Sequence, residues 1–76
     1  MEGRERHYSI LIEWEPQDQI YIARVPELPH CITHGATYEE ALAQIQDALD
    51  GYVEVVESQH QPLPAPHIFD LAEVTA

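Results

Sequence analysis

Histidines and carboxylates are the side chains in this sequence that could do chemistry, and their spacing decides which chemistry is open. His30 and His34 lie four positions apart. On an extended chain that separates them by roughly 13 Å, too far to ligate one metal ion. Glu13 and Glu15 fall on one face of a strand, with Asp18 close behind in a turn, a grouping that a divalent ion or a hydrolytic site would need. The chain holds 14 Asp and Glu, so a solvated surface is the plainer reading of those three. HExxH, GxxxxGK, GxSxG and a glycine-rich phosphate loop after a strand are all absent. Cys31 is the one cysteine, and beside the β-branched Ile32 it reads as a core residue, since no motif prepares it as a thiolate. The residues therefore offer no catalytic group, no metal site and no cofactor.

Charge says more about partners than about chemistry. With 14 acidic residues against 3 basic ones, the formal net charge of the 76-residue chain is -11. RNA, DNA and anionic membranes are repelled by such a chain, whereas a basic protein is attracted; the plain alternative is that acidity keeps the protein soluble. An apolar content of 45% is too high for a merely disordered acidic tail. A lone cysteine permits no internal disulfide, and MEGRERHYS lacks the apolar run of a signal peptide. No apolar run is long enough to span a membrane. These features together lead us to expect one cytoplasmic domain over residues 1–76.

The elements that must position these residues are legible from periodicity. Between Thr37 and Glu57, Tyr38, Ala41, Leu42, Ile45, Ala48, Leu49, Tyr52, Val53 and Val56 recur at steps of three and four, the stripe of an amphipathic helix. Thr37 is placed to cap it, and Glu40, three residues on, completes a capping box. Glu39, Gln44, Asp47, Asp50, Glu54 and Glu57 then point outward, with no basic residue among them. Gly51 interrupts the helix at a cost of about 1 kcal/mol relative to Ala. It is either a tolerated defect or a place where another backbone comes close.

Ahead of the helix, His7 to Glu15 alternates as a strand, Pro16 to Asp18 supplies a turn, and Gln19 to Val25 forms a second strand. The simplest antiparallel register sets Ile20 opposite Trp14, Ile22 opposite Ile12 and Arg24 opposite Ile10. That puts Trp14, Ile12 and Ile22 against the helix and leaves Leu11, Tyr21, Ala23 and Val25 on the other face, an expected contact surface for a second copy. A slip of one residue would reverse the faces. Pro26 and Pro29 end regular pairing and bracket Leu28, which is placed to plug the core. Cys31 to Gly35 reads as a third strand. After the helix, Pro62, Pro64 and Pro66 stiffen a connector, and residues 67–76 alternate weakly, as an edge strand or a short helix. The expected fold is α+β, in the order β-β-β-α-β: a three-stranded antiparallel sheet, one long helix and a fourth, C-terminal strand.

The stretch PELPHCITHGATYEEALAQIQDAL, Pro26 to Leu49, resembles the central signature of the HicB-like antitoxins, in which a PELPGC-type turn leads through a T-x-G-x-T strand exit to an EEAL helix. The preceding strand ending YIARVPELP fits as well, and the resemblance covers about residues 7 to 66. Pro26, Glu27, Leu28, Pro29 and Cys31 match the family's loop, Thr33, Gly35 and Thr37 its strand exit and cap, and Glu39, Glu40, Ala41 and Leu42 its helix start. His30 stands where the family usually has Gly, and Ala36 where an acidic residue is common. The resemblance implies a partial ribonuclease-H-like domain, without working catalytic carboxylates, that neutralises a small HicA-type mRNA-cleaving toxin. Longer members continue into a DNA-binding domain. With the chain ending at Ala76, and only Arg4, Arg6 and Arg24 as basic residues, direct DNA or RNA binding is not expected.

Two readings of function follow, an antitoxin-like module that occludes a basic toxin and a stand-alone module that associates with itself. For the first, the expected toxin contacts are Glu27, Glu39, Gln44, Asp47 and Asp50. For the second, a dimer through Leu11, Tyr21, Ala23 and Val25 is expected, by strand-edge pairing or by packing of sheet faces.

Overall fold

A computed structural model describes residues 7–72. Three antiparallel strands, β1 (Leu11–Glu15), β2 (Ile20–Arg24) and β3 (Ile32–Gly35), lie side by side in chain order, and one 21-residue helix, α1 (Tyr38–Ser58), packs across one face.

The helix begins as its sequence directs. Thr37 is extended, and its hydroxyl accepts the Glu40 amide at 3.0 Å. Glu40 returns its carboxylate to the Ala36 amide at 2.6 Å, one residue ahead of the cap. At the other end, Gln61 N–H donates to Val56 O at 3.1 Å and His60 N–H to Glu57 O at 3.0 Å. Those two bonds make a Schellman motif, with His60 in the left-handed conformation that glycine usually supplies (φ 57°).

The hairpin is shifted by one residue from the expected register. Ile12 pairs with Ala23, Glu13 with Ile22, Trp14 with Tyr21 and Glu15 with Ile20. The cause is the turn, which takes up four residues, Pro16 to Gln19. Gln19 adopts a positive φ of 57°, and the Glu15 carboxylate accepts the Gln17 and Asp18 amides at 3.2 and 2.8 Å. A turn of three residues would leave Gln19 in the strand.

The shift leaves β1 as expected and turns β2 over. Ile12 faces the helix layer, but so do Tyr21, Ala23 and Val25, while Ile22 lies on the open face with Leu11, Glu13 and Arg24. The residues expected to form a contact surface therefore divide: Ala23 and Val25 are buried in the core, Tyr21 packs against it, and Leu11 alone stays on the open face. Ile20, Ile22 and Ile32 join Leu11 there.

The core consists of Ala23, Val25, Leu28 and Cys31 from the sheet layer and Ala41, Ile45, Leu49 and Val53 from α1. Close approach of two backbones occurs at Gly35, not Gly51. A Cβ on Gly35 would lie 2.5 Å from Ala41 N, whereas one on Gly51 would meet nothing within 4 Å. Leu28 reaches the core through two successive turns, with Leu28 N–H donating to Val25 O (2.9 Å) and Cys31 N–H to Leu28 O (3.0 Å). Pro26 and Pro29 occupy the second position of each, where a fixed φ is favourable. His30 follows Pro29 without a positive φ, so this turn asks for no glycine.

No fourth strand forms among the described residues. Residues 61–70 run irregularly, with only Leu71 and Ala72 in a helical turn, and Pro62, Pro64 and Pro66 deny the first part of this run its ladder donors. This segment returns across the fold as a strap. Leu63 packs on the core, Tyr8 OH donates to Pro64 O, and His67 N–H donates to the Glu27 carboxylate at 2.8 Å. The remainder of the expected strand, residues 73–76, lies outside the described residues.

Candidate functional site

Because α1 turns one stripe to the sheet, the same period aligns its carboxylates on the outside. Asp47, Asp50, Glu54 and Glu57 follow at steps of three and four, all exposed, and Glu39 continues the row through Ala43. Like charges at such steps repel by a few tenths of a kcal/mol per pair. The last turn holds no basic residue, so Glu57 also faces the negative end of the helix dipole. Arg24 is the one Lys or Arg among the described residues, and on the open face of the sheet it pairs with Glu13 at 3.3 Å.

Of the expected toxin contacts, Glu39, Asp47 and Asp50 share this row. Gln44 stands off it, on the flank toward β3, where it borders a groove with Glu40. Glu27 is engaged inside the fold. Its carboxylate accepts the Ser9 amide (3.1 Å) and hydroxyl (3.0 Å) as well as the His67 amide. Burial works against its ionisation, but the hydrogen bonds from His67 and Ser9 outweigh it and hold the pKa below the ordinary carboxylate value.

An aromatic stack missing from the sequence-based reading lies at the start of α1. Trp14 and Tyr21 meet edge to face with centroids 5.0 Å apart, and Tyr21 and Tyr38 overlap at 4.3 Å. Trp14 is 51% exposed and Tyr38 58%, with Leu42 one helical turn further on at 39%. Aromatic groups half out of water are suited to Arg and Lys side chains. Only the true register, which the alternation does not reveal, sets Trp14 directly opposite Tyr21.

Alternative chemistry finds little support in the geometry. Glu13 is paired with Arg24 and Glu15 is spent on the turn amides, and no group of three His, Cys, Asp or Glu among the described residues is placed to hold a metal ion. Burial pushes the Cys31 thiol pKa up, away from a reactive thiolate. Burial, with Glu27 and Tyr52 nearby, likewise raises the Tyr8 phenol.

Residues 8–75 match the model of the HicB-like antitoxin of bacterial toxin-antitoxin systems. The chain belongs to that family. Similar proteins include a UPF0150 protein of Thermoplasma acidophilum, 35% identical over 57 residues that cover 75% of this chain and 81% of the relative. A UPF0150 protein of Synechocystis is 40% identical over 58 residues, covering 76% and 72%. One from Archaeoglobus fulgidus is 33% identical over 48 residues, covering 63% and 68%. No solved structure matches the chain significantly. In this HicB-like domain the family's loop and cap residues serve the fold: Pro26 and Pro29 set the two turns, and Thr37 and Glu40 start the helix. No described helix is long and apolar enough to cross a membrane.

Proposed function

We propose that this HicB-like domain acts by occlusion, covering the basic RNA-binding surface of a small HicA-type mRNA-cleaving toxin in the cytoplasm and having no hydrolytic activity of its own. The observation that carries this reading is the unbroken acidity of the outer face of α1, with the half-exposed Trp14–Tyr21–Tyr38 stack at the start of the same helix. Aromatic rings supply desolvated anchors, and Glu39, Asp47 and Asp50 replace the phosphates that the toxin would otherwise contact. Gln44 and Glu40 would border the contact on the β3 side. Direct DNA or RNA binding has no place in this scheme, because the outer face of α1 carries no cation.

The test pairs binding with RNA cleavage, using a HicA-type toxin encoded beside this chain if the gene has such a neighbour, and a solitary gene counts against the reading. Slight molar excess of the HicB-like domain should abolish cleavage, and joint Asp47→Lys and Asp50→Lys substitution should weaken the complex. A neighbouring toxin that neither binds nor is inhibited removes the antitoxin reading. Unchanged affinity in the double variant removes this surface while leaving occlusion in place.

A second reading, self-association without a toxin, draws on the open sheet face, where Leu11 is 37% exposed and Ile32 56%, with Ile20 and Ile22 between them. A dimer formed there would use Leu11 from the original expectation, with the isoleucines in place of Tyr21, Ala23 and Val25. Sedimentation at low salt and at about 0.5 M separates the terms, since screening favours association of chains this acidic. A monomer that persists at high concentration in both removes the dimer.

A further inference from the structure

We propose that the outer edge of β3 is a strand-addition site for an extended basic segment of a partner protein; this rests on the basic-partner reading above and gives that partner a second surface. Among the described residues β3 has a neighbouring strand on one side only. The bond from Val25 N–H to Cys31 O, 3.1 Å, sets the phase of the ladder. Cys31, Thr33 and Gly35 turn their backbone groups to β2, so Ile32 and His34 turn theirs outward. The two edges of the sheet are unlike. β1 carries Glu13 and Glu15 and runs into Pro16, the devices that protect an edge, while β3 contains neither proline nor a fixed charge. The outward row stops at Ala36, whose amide is taken by Glu40.

Beside this edge there is room for a strand. Grooves of about 530 and 520 Å³ meet at Ile32, the first reaching Gln44 and the second reaching Val55. Ile32 and Val55 are 56% and 55% exposed, so apolar surface lies along the path. Gly51 lines the second groove with nothing within 4 Å of its Cβ position, a notch in the helix wall. Thr33 is among the residues lining the first groove, and its Oγ1 is buried without a hydrogen-bond partner among the described residues.

Charge selects the occupant. Asp47 and Glu54 stand one helical turn to either side of Gly51, and Glu40 rims the first groove. A second copy would bring a net charge of -11 and the same acidic rim against this one. A segment that alternates apolar side chains with Lys or Arg lays the apolar ones on the open face beside Ile32 and turns its cations to the acidic rim on the helix side, while its backbone pairs with Ile32 and His34.

The probe is a capped peptide, Val-Lys-Val-Lys-Val-Lys-Val, with a Thr-for-Lys control, followed by amide hydrogen exchange in two-dimensional NMR. At low salt the basic peptide should slow exchange at Ile32 and His34 by about tenfold or more. His34→Pro should abolish that binding with the fold intact, because the lost N–H points away from β2. No binding up to about 1 mM overturns the site. So does binding that leaves these two amides unprotected, equal binding of the control, or protection that grows with protein concentration alone, which would make a second copy the occupant. The toxin, run in parallel, separates the two readings. A HicA-type toxin that binds without protecting Ile32 and His34 ends the edge site and spares the antitoxin function; peptide protection beside a toxin that fails to bind does the reverse.

Discussion

The carboxylate of Glu27 accepts the backbone amide of His67 at 2.8 Å, across 40 positions of sequence, and so fastens the strap to the proline-bracketed loop. The same carboxylate holds Ser9, so one side chain joins three separate segments. Its pKa in the folded protein lies below the unfolded value, and the sign follows from that: the bonds stabilise fully above the unfolded pKa, and the benefit is lost as pH falls through the folded pKa. Glu27→Gln should cost about 1–2 kcal/mol near neutral pH. Denaturant melts of both proteins from pH 7 down to about pH 3 should converge at the acid end; a gap that stays constant with pH would show that the carboxylate charge is not what holds the strap.

Gly35 and Gly51 should respond oppositely to alanine. At Gly35 the new Cβ would sit 2.5 Å from Ala41 N, so sheet and helix must move apart, at a cost of about 1–3 kcal/mol. At Gly51 the Cβ enters open space and the helix gains about 1 kcal/mol. Urea denaturation of the two variants reads both changes, and a destabilised Gly51→Ala would reveal an unfavourable contact that the isolated chain does not contain.

Gln19 and His60 both adopt φ of 57°, the region where glycine is at ease and other side chains are crowded. Gln19→Gly should stabilise the hairpin turn, and His60→Gly the Schellman end of α1, each by up to about 1 kcal/mol net of the added unfolded-state entropy. Thermal melts of the single and double variants check this. The effects should add, because the two sites lie in separate elements with no shared partner.

Trp14→Ala should leave the fold nearly intact and weaken a toxin complex by about 2 kcal/mol, a loss of some thirtyfold in affinity. The ring is 51% exposed, so the core loses little with it. Calorimetric titration against a HicA-type toxin, beside a melt of the free variant, measures both quantities. Unchanged affinity would take the aromatic stack out of the contact.

What the sequence showed, and what it concealed, divides along the range of the interactions. Helix α1 was legible from Thr37 onward because its cap and its stripe are local patterns. The hairpin was legible as a hairpin, but its register was not, since Trp14 and Ile12 alternate identically whether the turn takes three residues or four. Only the backbone of Gln19, a residue type with no strong liking for positive φ, decides the count. Through that one residue Ala23 and Val25 moved into the core and Trp14 came to face Tyr21. The carboxylate row could be read from steps of three and four, whereas Glu27 could not be separated from it. Its partners lie 18 and 40 positions away, beyond the reach of any local pattern. In the tail, weak alternation suggests a strand, but residues 67–70 are irregular and Leu71 and Ala72 helical; the alternation is too weak a pattern to decide between the two.

The strap gives the domain two tiers of stability. Sheet and helix are built from neighbours in sequence and close without help from the tail, while the strap is secured chiefly by Leu63, the phenol of Tyr8 and the carboxylate of Glu27. The expected order of folding is therefore hairpin, third strand and helix first, with the strap docking last. In the reverse direction, the tail is the part that a protease meets before the core has opened at all.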